Sequence, residues 1–289
     1  MGERSARGPL IGRDFILASV LAVVSAACGG PVAAPDVSLR VPDGFRPAPG
    51  ARSERYTETG WAGHIVHEKT GIELVFIPAG DFLMGSPEDE AGRRENEGPQ
   101  HRVVISKPFY LGRYEVTQEQ WLTLMDTNPS RFRGDDNPVN QMTWYECQEF
   151  LSKAGDGLRL PTEAEWEYAC RAGSTTRYHF GDSHELLGDY AWYDGNSGGR
   201  MHPVGGKKPN AWGLYDMHGN AWEWCADYIA SYEAAERIDP QGPASGTFRV
   251  RRGGSWGTIA RLCRSAWRDA FAPKHTYGHT GFRVARTAE

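Results

Sequence analysis

Glycine and proline interrupt this chain too often for long helices or strands. The 289 residues contain 35 glycines and 18 prolines, together with ten tryptophans. Glycine loses backbone entropy inside regular elements, and proline removes a backbone donor. The mixture therefore favours a loop-rich domain held together by aromatic anchors over a helical bundle. The length allows one or two domains with a substantial buried core.

The charge pattern excludes one class of partner. The formal net charge is −5, and acidic and basic residues are interspersed along the chain. Because no stripe of lysine and arginine stands out, we expect no nucleic-acid partner.

Residues 1–28 are predicted to be a signal peptide of the lipoprotein type. An apolar run from residue 15 to 27 ends in small residues directly before Cys28. A basic start, an apolar centre and small residues at the end form a secretory signal. The run is shorter than the roughly 20 residues of a membrane-spanning helix. The basic residues before it are Arg4, Arg7 and Arg13.

Cys28 is the predicted lipidation site, because a cysteine after small residues resembles the bacterial lipobox. Ser25 departs from that pattern, which usually has leucine there. The alternative is ordinary cleavage near Ala27. We therefore expect an exported protein: a periplasmic or outer-surface lipoprotein held to the membrane by its lipid or, in the alternative, a secreted protein.

Residues 29–62 are predicted to be a tether, since they are rich in proline, alanine and glycine and offer few large apolar groups. The folded domain is then expected over residues 63–289, with its core from 71 to 286. His64 and His67, with Glu68 behind them, are interpreted as a strand edge entering the domain rather than as metal ligands. The charged residues 86–100 are expected to form an exposed loop.

Three helices are predicted from one start signal, the capping box, in which a threonine and a glutamate or glutamine three residues later satisfy backbone donors reciprocally. Apolar residues at helical spacing follow each box. After Gly173 the pattern is typical of short strands and turns, so the predicted fold class is α+β. The three boxes are Thr117 with Gln120, Thr143 with Glu146, and Thr162 with Glu165.

Four passages carry the most specific motifs of the chain: residues 159–169 (RLPTEAEWEYA), 210–224 (NAWGLYDMHGNAWEW), 252–256 (RGGSW) and 281–284 (GFRV). In this order and spacing they resemble the formylglycine-generating enzyme (sulfatase-modifying factor) family over about three quarters of the chain. The resemblance implies a variant of the C-type-lectin fold, low in regular structure and stabilised by calcium. The family's founding activity oxidises a sulfatase cysteine to formylglycine with O₂ and a copper(I) ion held by two cysteines.

The segment from Asp216 to Glu223 is a candidate calcium loop. Calcium takes carboxylate and carbonyl oxygens, and Gly219 lets the chain fold back so that carbonyls converge. On the residues alone, a tight turn whose acids cap neighbouring amides is the alternative. The resemblance implies as ligands the side chains of Asp216 and Glu223 and the carbonyls of Gly219 and Ala221. A second calcium site of the family depends on residues 192–196, which match poorly, and is not expected.

This chain differs from the family's oxidases at their reactive centre. The two positions that are cysteines in the oxidases are Thr258 and Cys263 here. Copper(I) is soft and suits a pair of thiolates, so one thiol and a hydroxyl make a poorer site. Cys263 and Ser255 remain the candidate catalytic residues. Arg261 and Arg264 beside Cys263 are expected to favour its thiolate form.

The remaining cysteines leave their pairing open. Cys147, Cys170 and Cys225 join Cys263 as four thiols after the leader, and four thiols allow three pairings. Cys147 and Cys170 lie on the apolar faces of predicted helices. Buried free thiols are therefore as compatible with the pattern as disulfides.

Two functions follow, and the missing cysteine favours the first. In the first, we expect a calcium-stabilised domain that binds a protein or peptide partner, with a sulfatase as one candidate, or that runs an uncharacterised chemistry. The alternative is a formylglycine-generating oxidase that uses copper and O₂. The iron-binding histidine motif of the related sulfoxide synthases has no counterpart in this sequence. The oligomeric state is left open.

Overall fold

The computed structural model describes residues 39–55 and 59–289. Cys28 and the predicted signal peptide lie outside these residues, so lipidation and export stay predictions. Within the described ranges, no helix is long and apolar enough to cross a membrane.

Regular structure is sparse and short in the described residues. The helices are α1 (Gln118–Leu122), α2 (Trp144–Ala154), α3 (Glu163–Arg171) and α4 (Leu187–Tyr190), with single 3₁₀ turns at Glu95–Glu97, His184–Leu186 and Ala260–Leu262. The strands are β1 (Phe45–Pro47), β2 (His64–His67), β3 (Glu73–Ile77), β4 (Gly80–Met84), β5 (His101–Ile105), β6 (Phe109–Gly112), β7 (Trp222–Tyr228), β8 (Arg237–Ile238), β9 (Arg249–Arg252), β10 (Arg268–Phe271), β11 (Thr280–Gly281) and β12 (Ala285–Thr287).

The strands form three small sheets. One has five antiparallel strands in the order β1-β2-β3-β6-β12, another has the order β10-β9-β7-β11, and the third has the order β4-β5-β8. The pairs β11–β7 and β8–β5 are parallel. β11 and β12 come last in the chain yet each pairs with an earlier strand, so the C-terminal segment ties two sheets together. The predicted α+β fold class is confirmed.

All three predicted capping boxes are present. Each threonine side chain accepts the backbone N–H three residues later, at 3.1–3.2 Å, and each partner side chain accepts the threonine N–H in return. The apolar faces behind the boxes are buried. Trp121 of α1 stacks on Phe150 of α2 with ring centroids 5.4 Å apart, against the core of the five-stranded sheet. Trp166 of α3 belongs to a second core with Val250 of β9.

The predicted tether, residues 29–62, is wrong for its described second half. Phe45 lies in β1, which pairs with β2, and Trp61 and Ala62 are buried in the first core. Arg40 covers the Trp61 ring, with its guanidinium carbon 4.3 Å from the ring centroid. Two aromatic anchors and one strand are enough to fold this segment onto the domain despite its few apolar residues.

His64 and His67 lie in a strand, as predicted, but β2 is an inner strand between β1 and β3 rather than an edge. The buried His67 ring is held by Thr70 Oγ1 at 2.8 Å from Nδ1 and by Asp156 Oδ2 at 3.1 Å from Nε2. Its contacts are those of a structural histidine.

Candidate functional site

Two glycines build the turn that carries the candidate catalytic residues. Gly253 and Gly254 follow β9 with φ of 95° and 76°, a region in which glycine is favoured. A Cβ on Gly254 would lie 2.9 Å from the Cys263 sulfur. The backbone after β9 therefore lies in close contact with Cys263. Ser255 and Cys263 stand at the two ends of one turn.

The Thr258 side chain stabilises this turn through its hydroxyl group. Its Oγ1 accepts the Ser255 N–H at 3.0 Å and lies 3.0 Å from the Ser255 Oγ. Both residues are buried. The Cys263 thiol donates toward the carbonyl oxygens of Thr258 and Ile259, each 3.7 Å away. A hydroxyl thus holds the turn at the position where the oxidases have a thiolate.

The Cys263 thiol lies in an apolar cluster with Tyr178, Leu187 and Ala191. Burial alone raises its pKa far above the usual value, so the thiol is protonated near neutral pH. The expected thiolate stabilisation by Arg261 and Arg264 is wrong. Arg261 is exposed, and Arg264 forms ion pairs with two carboxylates instead.

Those two carboxylates come from the segment 86–100, which is not fully exposed as predicted. Glu97 is completely buried, and its two oxygens each lie 2.7 Å from an Arg264 nitrogen. Glu90 also pairs with Arg264. The Ser86 hydroxyl donates to Glu97 at 3.0 Å. Because a buried guanidinium needs acceptors, the loop folds over the turn and covers Arg264.

The four cysteines of the described residues are free and buried, so no disulfide forms among them. Cys225 packs in the second core, with Trp166 and Val250, whereas Cys263 lies in a different cluster. Cys170 lies nearer, because its sulfur is 3.9 Å from Nε2 of His218, whose Nδ1 is 2.7 Å from the Cys263 carbonyl oxygen. Cys170 and Cys263 therefore contact His218 from two sides.

His218 is a site residue that sequence analysis missed. It is fully buried, stacks on His179 with centroids 5.0 Å apart, and accepts the His179 N–H at 3.2 Å. Burial lowers the pKa of His218 well below its usual value and that of His179 to about 4. Both rings are neutral at physiological pH. The one signal in the sequence was the place of His218 inside the Asp216–Glu223 segment.

The donor set around Cys263 does not fit a two-thiolate copper(I) site. It offers one protonated thiol and one hydroxyl that is already engaged within the turn. Copper(I) prefers paired soft sulfur donors. In the described residues, no three or more His, Cys, Asp or Glu side chains lie so that they could hold a metal ion together.

The segment from Asp216 to Glu223 turns at residues 217–221 and then runs into β7. Asp216 and Asn220 have φ of 60° and 62°, and a Cβ on Gly219 would lie 2.2 Å from the Trp192 carbonyl oxygen. Asp216 Oδ2 accepts the Gly205 N–H at 2.7 Å. Asp216 Oδ1 is buried and has no hydrogen-bond partner in the described structure. Desolvation raises the pKa of this carboxyl to about 6.

Glu223, the other predicted ligand, is held by an arginine. Arg283 donates to both of its oxygens at 2.6 Å, and the Trp166 indole donates at 2.6 Å. Glu115, which sequence analysis missed, is fully buried and accepts the Ala221 N–H at 2.9 Å. Burial, Asp216 and Glu223 together raise the pKa of Glu115 well above its usual value.

Three buried carboxylates thus face one buried guanidinium. The excess negative charge and the unpartnered Asp216 Oδ1 suit a hard cation. Asp216 and the carbonyls of Gly219 and Ala221 would hold it, while Glu223 already shares its charge with Arg283. The residues therefore fit a calcium ion in part, with Asp216 as the side chain free to bind it.

Comparison with known proteins finds relatives of this domain. Residues 64–288 match the family described as sulfatase-modifying factor enzyme 1-like domain. The formylglycine-generating enzyme of Thermomonospora curvata is 31% identical over 285 aligned residues, covering 73% of this chain and 92% of that protein. The chaperone protein LppX of Paenibacillus barcinonensis is 28% identical over 238 aligned residues, covering 64% and 82%.

Among solved structures, Treponema denticola variable protein 1 superposes with a TM-score of 0.69 at 30% identity, covering 75% of this chain and 95% of its own. The family match spans more than half of the chain. The chain therefore belongs to the sulfatase-modifying factor (formylglycine-generating enzyme) family.

Proposed function

We propose that this chain is an exported, calcium-stabilised domain of the sulfatase-modifying factor family that binds a peptide or protein partner and does not generate formylglycine. The observation that carries the proposal is the Thr258 hydroxyl, at the position to which the resemblance assigns the first copper-binding thiolate. It is hydrogen-bonded to Ser255 inside a buried turn.

The state of Cys263 supports the same conclusion. Its thiol is buried and protonated, and the two arginines beside it in sequence do not lower its pKa. A thiol reacts as a nucleophile or a soft metal ligand in its thiolate form. Cys263 therefore contributes to packing here, and in the proposal the surface around the turn binds the partner without a redox pair.

An exposed apolar side chain marks that surface. Ile259 follows Thr258 directly and is 42% exposed, whereas Thr258 and Cys263 are buried. A partner docked on this turn would contact the Ile259 side chain, so Ile259 is the position at which the proposal is tested. The family also contains a relative named a chaperone, LppX, and that name supports a protein-binding role for the domain.

Calcium binding in the proposal is supported by the unpartnered Asp216 Oδ1 and the excess of buried carboxylates around it. Export and lipid anchoring depend on the order of basic, apolar and small residues before Cys28. The alternative function, oxidation of a sulfatase cysteine with copper and O₂, would need a second soft donor at the turn. The described residues supply none beside Cys263.

Fluorescence polarisation with a labelled peptide containing Cys-x-Pro-x-Arg, the sulfatase motif of the family, tests the proposal. We expect saturable binding that Ile259→Ser weakens. The matched control is Leu83→Ser, because Leu83 is similarly exposed, at 48%, but lies on β4. Absence of binding, or equal weakening by both variants, would contradict a retained peptide site. Conversion of the bound cysteine to an aldehyde would support the alternative.

A further inference from the structure

A cavity of about 470 Å³ lies between the start of α3, the end of β7 and the loops that flank β8. It shares no residue with the Ser255–Cys263 turn or with the Asp216–Glu223 segment. Its walls are mostly apolar and include Met84, Tyr232, Ile238, Pro240 and Pro243. This cavity has no part in the proposed function.

Asp227, the one buried aspartate in the cavity wall, lies at the end of β7. It is 5% exposed and forms no ion pair with any described residue. Its Oδ2 accepts the Glu163 N–H at the start of α3, at 2.8 Å. Its other oxygen is flanked by a residue without a side chain, since a Cβ on Gly242 would lie 3.1 Å from Oδ1.

The other charged side chains that line the cavity have partners of opposite charge. Arg268 contacts both oxygens of Glu163, at 2.8 and 2.5 Å. Glu233 pairs with Arg237 at the rim. Asp227 is thus the lining carboxylate whose charge is not compensated by a direct partner in the described part of the chain. Burial of an unpaired carboxylate is costly, and a cation in the cavity would offset that cost.

The chemistry of the carboxylate narrows the class of cation. Oδ2 already accepts a backbone N–H, so a compact cationic head that uses Oδ1 alone meets less competition than a planar guanidinium, which uses both oxygens. An ammonium group needs one free oxygen, and its alkyl stem suits the apolar wall. Burial and the neighbouring Glu163 raise the pKa of Asp227 to about 7, as expected for a carboxylate that lacks a counter-charge.

We propose that this cavity binds an alkylammonium group, with Asp227 as its counter-ion and the apolar wall around its stem. The group could belong to a free amine or to a lysine side chain of another protein, and the probes below distinguish these sources. The proposal is independent of the function proposed for the turn after β9.

Calorimetric titration at pH 8 tests it with n-butylammonium chloride and with the peptide acetyl-Gly-Lys-Gly-amide. 1-Butanol and the same peptide with an acetylated lysine are the uncharged controls. Asp227→Asn keeps the acceptor for the Glu163 N–H but removes the charge, and we expect it to weaken binding about tenfold or more. Glu233→Gln changes a rim carboxylate that is already paired, and we expect its affinity to stay within about twofold of wild type.

A pH series is the second measurement. The titratable groups that interact with Asp227 are Glu163 and Glu165 of α3 and Cys225 of β7, and the other titratable residues of the cavity lining are His101, Tyr232, Glu233, Arg237 and Arg268. Because protonation of Asp227 removes the attraction, affinity should fall as the pH is lowered from 8 to 6 in wild type. In Asp227→Asn, affinity should not change over this range.

Binding of butylammonium but not of the peptide would support a small amine as the ligand. Binding of both would support a lysine side chain. The proposal is overturned if neither binds, if 1-butanol binds as well as butylammonium, or if Asp227→Asn binds butylammonium as tightly as wild type.

Discussion

The Thr258 side chain accepts the backbone N–H of Ser255 at 3.0 Å, and the two hydroxyls lie 3.0 Å apart. This pair fixes the turn after β9 without any metal ligand. The family's oxidases have a cysteine where Thr258 stands, so the same position that carries chemistry in them has a conformational role here. Cys263 at the far end of the turn is left as a buried, protonated thiol.

Thr258→Cys should raise copper(I) affinity, because it places a second sulfur at the start of the turn. It should also lower stability by about 1–3 kcal/mol, since the buried Ser255 N–H loses its oxygen acceptor. Competition with a coloured copper(I) chelator measures the first effect, and urea unfolding measures the second. Thr258→Ser is the matched control and should gain no copper. If Thr258→Cys binds copper(I) no better than wild type, the two positions do not converge.

Calcium should raise the melting temperature relative to chelator. A ligand present at about 100 times its Kd stabilises by about 2.7 kcal/mol, which corresponds to several degrees for a domain of this size. Asp216→Asn should abolish the difference, because Asp216 Oδ1 is the buried oxygen without a partner. Asp189→Asn, an exposed change in a pair with Lys208, should keep it. Identical melting of wild type with calcium and with chelator would refute the site.

Arg264→Leu should destabilise the domain strongly. It leaves Glu97, which is fully buried, and Glu90 without their counter-charge, at a cost of about 3–5 kcal/mol. Arg102→Leu removes two exposed ion pairs, with Asp81 and Glu236, and should lower the stability much less. Urea unfolding compares the two. A small loss in Arg264→Leu would mean that the loop 86–100 does not depend on this arginine.

Asp227→Asn should be more stable than wild type at pH 8. Burial raises the folded-state pKa of Asp227 to about 7, above its unfolded value. The folded wild type therefore carries an unfavourable charge above pH 7, and protonation relieves it as the pH falls from about 7 toward 4. The advantage of the asparagine variant should shrink over that range in thermal melts. A difference that is constant with pH would show that Asp227 does not titrate as described.

Local signals in the sequence predicted local structure well. The three capping boxes lie within four residues each, and the Gly253–Gly254 turn is encoded by its own glycines, so both could be recognised without a partner in space. The α+β class and the family followed from such short passages. The tether prediction failed because composition suggested little to bury, whereas Phe45 and Trp61 reach the core from a proline-rich segment.

The features that the sequence could not predict depend on contacts between residues far apart in the chain. Glu115 meets Ala221 across 106 residues, and Glu97 meets Arg264 across 167. Nothing near Cys263 in the chain indicates that Arg264 is occupied by a distant loop, so the thiol was expected to be ionised. Charges adjacent in sequence contribute to a pKa only where the fold leaves them unpaired and close.

The most direct test of the central claim is a conversion assay. The purified protein is incubated with a Cys-x-Pro-x-Arg peptide, copper, a reductant and air, and the peptide is analysed by mass spectrometry. The formylglycine-generating enzyme of Thermomonospora curvata serves as the positive control. We predict that the peptide cysteine stays intact with this protein. Formation of formylglycine by the wild type, lost in Cys263→Ser, would contradict the account and establish the oxidase.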